Sequence, residues 1–145
     1  MSEPSYTFTI TGHITPAVRM TQKSKHADPR AQKYMASQKA IAWQLKEQMA
    51  LRGWDMLPEQ TPLMAQVSFW VESGLHKCDA DNLIKAVIDS AQGIVFRNDL
   101  WIDSIMSARA IGAVDSCVFT ISVIPKRWIP RVIMNMAGFR ESLRI

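Results

Sequence analysis

Residues 6–12, YTFTITG, alternate Tyr6, Phe8 and Ile10 with Thr7, Thr9 and Thr11. Period two with β-forming side chains predicts a strand that ends near Gly12. No periodicity follows in HITPAVRMTQKSKHADPR. Its Pro, Ser, Asp and basic residues predict a long basic loop, and long loops in small domains tend to be functional or disordered. From about Ala31 to Arg52, Tyr34, Ile41, Leu45 and Met49 recur at roughly helical spacing, and Gly53 supplies a stop. WDMLPEQTP is a connector with two prolines. In LMAQVSFWVE, Leu63, Ala65, Val67, Phe69 and Val71 alternate onto one side, which predicts a second strand. A helix is expected from about Asp81 to Gln92, ended by Gly93. WIDSIMSARAI and SCVFTISVI read as two strands joined by the turn GAVD, for which Gly112 and Asp115 are suited. Pro125 closes the last strand. The remainder, KRWIPRVIMNMAGFRESLRI, is amphipathic in patches and broken by Pro130, and admits a short helix or a mobile arm.

The order β-α-β-α-β-β predicts an α+β fold, one mixed sheet with helices packed on it. The chain has 145 residues, enough for one domain with a core of its own. We expect that domain over residues 1–125, followed by a basic C-terminal tail, 126–145. Hydrophobic residues make up 48% and charged residues 21%, an ordinary globular composition. No apolar run reaches the length of a membrane span, about 18 residues. MSEPSY lacks a positive region followed by an apolar stretch, so no secretory signal is expected. Cys78 and Cys117 form no close-spaced motif, and with three scattered His they do not suggest structural zinc. The expected setting is reduced and cytoplasmic.

Charge changes this picture. The chain carries a net +4, unevenly distributed. Six basic residues and one acid lie between His13 and Lys39, and five basic residues and one acid follow from Lys126. From Asp55 to Asp103 the balance reverses, with eight acids against three basic residues. Basic flanks around an acidic centre suit a polyanionic ligand and a cation site. Two solvated ends with a few surface ion pairs would give the same numbers.

The acidic centre is densest in KCDADNLIKAVIDSAQGIVFRND, residues 77–99. On a helical wheel, Leu83, Ile84, Val87, Ile88 and Ala91 fall about 200° to 340° from Asp81. Asp81, Asn82, Lys85, Asp89 and Gln92 occupy the opposite face, within about 100°. This helix needs no function to exist. Asp81–Lys85 and Lys85–Asp89 are i,i+4 pairs, and Asp79 or Asp81 would serve as an N-cap. Two features add chemistry. Asp79 and Asp81 stand at i,i+2 in an extended approach, so both carboxylates can point one way. FRNDLWID then brings Asp99 and Asp103 after the Gly93 turn. If the strand beyond runs beside the helix start, Asp99 completes a three-carboxylate cluster. Such carboxylates repel unless a cation or proton lies between them. Hard oxygen ligands with positions left open suit Mg²⁺, which would polarise a phosphodiester and activate a bound water. Lys85, flanked by two carboxylates, suits charge stabilisation on phosphate better than the role of general base.

This stretch resembles the signature of the RusA family of Holliday-junction resolvases. Asp79, Asp81, Asn82, Lys85, Asp89, Gly93 and Asp99 stand at its motif positions, and Asn98 departs from it by replacing the first of two terminal acids. The resemblance implies a RusA-like α+β fold and a small homodimeric crossover junction endodeoxyribonuclease, acting in DNA recombination and repair. It implies Mg²⁺ or Mn²⁺ as cofactor, and paired symmetric nicks in four-way DNA. Such proteins are often encoded by phages and prophages, so the expected setting is the cytoplasm of a bacterial or phage-infected cell. By the same resemblance Asp79, Asp81 and Asp99 hold metal and Lys85 assists chemistry, with Asn82 and Asp89 in support. A two-fold dimer suits two symmetric cuts. Arg19, Lys23, Lys25, Arg30, Lys33, Lys77 and Arg97 would contact phosphates, which give affinity and orientation rather than sequence. Leu75 and His76 would project as a wedge at the junction centre. Trp43, Trp54 and Trp128 are expected in the core or an interface.

Two other classes compete. A non-catalytic, structure-specific DNA-binding protein would use Asp79 and Asp81 only as helix caps. A Mg²⁺-dependent phosphohydrolase of small substrates would ignore branched DNA, and the basic flanks argue against it.

Overall fold

In the computed structural model, residues 4–72, 79–112 and 114–125 are described. The elements run β1 (Ser5–Thr11), α1 (Ser24–Ala27), α2 (Pro29–Arg52), β2 (Leu63–Val71), α3 (Ala80–Ala91), a 3₁₀ turn (Asp99–Trp101), β3 (Ile102–Ile111) and β4 (Ser116–Val123). The strands form one mixed sheet in the order β1-β4-β2-β3, giving the α+β fold expected from the sequence. The expected tail, 126–145, lies outside the described residues.

The alternation read in the sequence sets the layers. Phe8 and Ile10 of β1, Leu63, Ala65, Val67 and Phe69 of β2, and Cys117, Phe119, Ile121 and Val123 of β4 are buried on one sheet face. Their registers agree, with Phe8 opposite Phe119 and Phe119 opposite Val67. Tyr34, Ile41, Leu45 and Met49 of α2 join Leu83, Val87, Ile88 and Ala91 of α3 in the same core. Burial withdraws the Cys117 thiol from ionisation, pushing its pKa up to about 12, so this cysteine is inert packing.

The basic loop is more ordered than its composition suggests. It contains the single turn α1, and α2 starts at Pro29, earlier than expected. Asp28 is the N-cap, its side chain accepting from Arg30 N at 2.9 Å, and Pro29 occupies the first turn. Proline suits that place because its missing N–H has no helical partner there. At the other end Gly53 takes the left-handed conformation, φ 62°, and its N–H bonds Ala50 O.

The turn GAVD does not make a hairpin. β3 lies parallel to β2 on its outer side, and β4 enters the sheet between β1 and β2. A parallel neighbour needs a crossover, which α3 and the 3₁₀ turn provide. The connector must therefore step across the end of β2. Gly112 N bonds Val71 O at 3.0 Å, and a Cβ on Gly112 would lie 2.9 Å from Trp70 Cβ. Asp115 secures the crossing. Its Oδ1 accepts from Glu72 N at 2.8 Å, its Oδ2 meets His13 Nδ1 at 3.1 Å, and its carbonyl accepts from Gly12 N at 3.0 Å. The Glu72 amide, then His13, hold this carboxyl below the usual aspartate range.

The two rims of the sheet differ. Along β1, side chains of α2 act as a further strand. Gln44 accepts from Thr11 N at 2.9 Å and donates to Thr11 O at 3.0 Å. Gln48 accepts from Thr9 N at 3.1 Å and donates to Thr9 O at 2.8 Å. Arg52 donates to Thr7 O at 3.0 Å and lies 4.6 Å over the Trp54 ring. Trp54 in turn stacks on Tyr6 at 4.4 Å, whereas Trp43, expected in a core or interface, is 69% exposed on α2.

Candidate active site

The first turn of α3 is where the acids begin. Asp79 is the N-cap residue, exposed and extended at φ −72° and ψ 143°, and its side chain makes no capping hydrogen bond. Its carboxylate is therefore not committed to the helix backbone. Asp81 is exposed in the first turn, and Lys85 is exposed one turn on. Asn82 is half-buried, and its carbonyl accepts from Ala17 N at 3.0 Å. Ile14 is buried and Thr15 N bonds Ser37 Oγ at 3.1 Å. The basic loop is thus fastened both to α2 and to the turn that carries Asp81.

Asp99 arrives from the other side of the crossover. Gly93, at φ 84°, turns the chain after α3, and its N–H bonds Phe96 O at 2.7 Å. Leu57 N bonds Val95 O at 2.8 Å, and Arg97 pairs with Glu59 at 3.0 Å, tying this segment to the connector before β2. Asn98 then caps the 3₁₀ turn, its Oδ1 accepting from Leu100 N at 2.9 Å. The amide at the departing motif position is a structural cap. Asp99 follows, exposed, with its N–H directed at Gln92 Oε1 at 3.4 Å.

These pieces meet in one cavity of about 350 Å³. Asp81, Lys85, Asp89 and Asp99 line it, with Ile84, Ile88, Ile102 and Ile105 supplying the apolar wall. Asp79 and Asp103 are not among its lining residues. Four isoleucines stand beside three carboxylates and an ammonium, of which Asp81, Lys85 and Asp99 are exposed. The carboxylate oxygens are chemically suited to a hard divalent cation. Among the described residues no three acidic, His or Cys side chains are gathered closely enough to hold an ion.

A family model described as Endodeoxyribonuclease RusA matches residues 8–122. The chain belongs to the RusA endodeoxyribonuclease family. Membership makes it a crossover junction endodeoxyribonuclease, in a class of nucleases that generally depends on divalent metal and acts on junction DNA. No curated protein matches the chain. Among the described residues no helix is long and apolar enough to cross a membrane.

The structure of this RusA-family chain also shows a residue that the sequence pattern hid. Tyr34 of α2 is 2% exposed, and its hydroxyl donates to Asp89 Oδ2 at 3.1 Å while accepting from Gln38 Nε2 at 3.1 Å. Burial, then the Asp89 charge, raise the phenol pKa, so it remains a donor. In the sequence Tyr34 reads only as a core position of an amphipathic helix. Its polar tip becomes informative once α2 and α3 are known to touch.

The basic candidates divide. Arg19, Lys23 and Lys33 are exposed, and Lys25 is half-buried. Arg30 is exposed but paired with Asp28 at 3.4 Å, and Arg97 with Glu59. Lys77, Leu75 and His76 lie outside the described residues.

Proposed function

We propose that the protein is a Mg²⁺-dependent resolvase that cuts four-way DNA junctions by paired symmetric nicks, working as a homodimer. The observation that carries the reading is the shared cavity, where α3 and the 3₁₀ turn bring Asp81, Lys85, Asp89 and Asp99 together. The non-catalytic alternative would leave an acidic cavity on a DNA-binding surface, where it repels phosphate and gains nothing.

In this reading Asp79, Asp81 and Asp99 hold the cation, Mg²⁺ or Mn²⁺. Once bound, it supplies Lewis-acid polarisation of the scissile phosphate and a more acidic water. Three carboxylates closing on one point repel unless a cation shares them. Asp79, free of any capping bond, and the exposed Asp81 and Asp99 have side chains available to close. Lys85 sets a positive charge beside the phosphate oxygens, where negative charge grows in the transition state. Asp89, held by Tyr34, stands one helical turn from Lys85, close enough in sequence for an i,i+4 pair to form. Asn82 serves through its carbonyl, which anchors the basic loop.

Arg19, Lys23, Lys25 and Lys33 of the loop and the start of α2, with Lys77, hold the DNA backbone. Arg30 and Arg97 join by exchanging their carboxylate partners for phosphate, an exposed-pair exchange with little cost.

Asp81→Asn tests the assignment. It should abolish cleavage of a labelled four-way junction while leaving junction binding intact or tighter, since one repulsive charge is gone. Lys85→Ala should slow cleavage more than it weakens binding. Normal cutting by Asp81→Asn would end the metal assignment. Junction binding without nicking by the wild-type protein, in Mg²⁺ or Mn²⁺ at any pH, would favour the non-catalytic reading.

A further inference from the structure

We propose that the solvent face of α2 is a binding strip for single-stranded DNA, the Trp43 indole stacking on a base while Lys39 and Lys46 hold the phosphates on either side of it. This deepens the resolvase reading, on which it rests only for the reason why an unpaired strand of branched DNA should be at hand.

α2 has three sides. Tyr34, Ile41, Leu45 and Met49 lie in the core, and Gln44 and Gln48 turn to the β1 rim. Lys39 and Lys46 stand about 140° to 180° around the axis from those glutamines. Trp43 lies on the open face between the two sets and is 69% exposed. An exposed apolar residue alone signifies little; its surroundings here do. One turn before it stand Lys39 and Ala40, one turn after it Lys46 and Glu47, and two turns away Ala36 and Ala50. All six are exposed. The alanines leave the indole unscreened, with room for a flat ring against it. The lysines share one flank, with about 10 Å of helix axis between them. Among the described residues the ion pairs are His13–Asp115, Arg30–Asp28 and Arg97–Glu59, and neither lysine is in one.

Chemistry selects the occupant. Two unpaired ammonium groups along one flank favour a polyanion. Glu47, the one acid of α2, repels that polyanion from the other flank, so the backbone keeps to the lysine side and its bases turn in across Trp43. Aromatic rings beside a basic track are how single strands are held, because every base has a π-face to stack. A duplex keeps those faces inside its own stack and would leave the indole unused. An acidic peptide would engage the lysines alone. The same helix reaches the cavity, since Tyr34 bonds Asp89, one of its lining residues. Strip and cavity are therefore joined through α2.

Titration of the full chain with oligothymidylate in EDTA, followed by tryptophan emission and by strand anisotropy over a salt series, tests the proposal. The wild type should bind the strand with its emission quenched. Trp43→Leu should remove most of the quench and weaken strand binding roughly tenfold, with affinity for a blunt duplex unchanged. Lys39→Ala together with Lys46→Ala should lower the slope of log affinity against log salt by about 1.4. Glu47→Gln should tighten the complex. No strand binding by the wild type, a quench that survives Trp43→Leu, or equal loss of duplex and strand binding in that variant would each overturn the inference. Unchanged strand affinity in Trp43→Leu, joined to a changed sedimentation coefficient, would overturn it too and give the patch to a protein contact. Junction nicking in Mg²⁺ separates the two readings. Nicking by a chain that ignores oligothymidylate leaves the nuclease assignment standing, while strand binding by a wild type that never nicks would remove the resolvase reading alone.

Discussion

At the scale of single residues, two side chains define what holds the cavity in place. Tyr34 is a buried phenol between Gln38 and Asp89, and its hydroxyl is the link from α2 to the polar face of α3. Tyr34→Phe keeps the ring and removes that link. We expect a loss of about 1.5–3 kcal/mol, the range for a hydrogen bond to a charged group, read as a lower urea midpoint at unchanged slope. Junction cleavage should slow while junction affinity holds, because Asp89 loses the bond that fixes its carboxylate in the cavity. Asn98 makes the second case. Its side chain caps Leu100 N–H, so Asn98→Ala should cost about 1 kcal/mol and loosen the turn that presents Asp99. Asn98→Asp retains the acceptor, and melting temperature and cleavage should both stay near wild type. Asp81, Lys85, Asp89 and Asp99 were singled out in the sequence and line one cavity, whereas Asp79, expected in the same carboxylate cluster, does not line it. The capping use of Asn98 was not legible there, since an amide in place of an acid reads the same whether it caps or has lost a ligand.

At the scale of elements, hydrophobic periodicity was a reliable guide wherever one face is buried. β1, β2, α2 and α3 appear where alternation or helical spacing put them, within two residues at either end. Pairing was less legible. β3 and β4 are consecutive and separated by turn residues, which is also how a hairpin reads. Nothing local to Gly112 says that the chain will step over Trp70 rather than fold back. What decides is non-local, because β4 buries Cys117, Phe119, Ile121 and Val123 and needs a strand on both sides. The glutamine ladder was invisible for the opposite reason. Gln44, Gln48 and Arg52 at i, i+4 and i+8 look like any solvated helix face. Replacing Gln44 and Gln48 together with Ala should cost roughly 1 kcal/mol per glutamine. It should also release the Thr9 and Thr11 edge, giving species larger than those of the wild type in light scattering as concentration rises.

At the scale of the whole molecule, the uneven charge along the sequence becomes an arrangement in space. Three acids of the centre, Asp81, Asp89 and Asp99, line one cavity between α3 and the start of β3, and the basic loop is bonded to the first turn of α3 through Ala17 N. The charge pattern along the sequence was compatible with a polyanion and a cation site as well as with solvated ends, while the fold shows which arginines are already paired. Arg30 and Arg97, indistinguishable from their neighbours in sequence, already hold Asp28 and Glu59. They become available to DNA only by giving up those partners.

The single bond from Ala17 N to the Asn82 carbonyl has a consequence for anyone who would re-engineer this molecule. In the proposed resolvase, the loop that would grip DNA and the turn that would serve cleavage are mechanically one part. Exchanging the loop for that of a relative, to alter which branched molecule is held, would tug on the helical turn beside Asp81 unless that turn travelled with it. The smallest portable unit is therefore a discontinuous pair of segments, residues 13–23 with 79–85, and transplanting either alone should alter turnover as well as affinity.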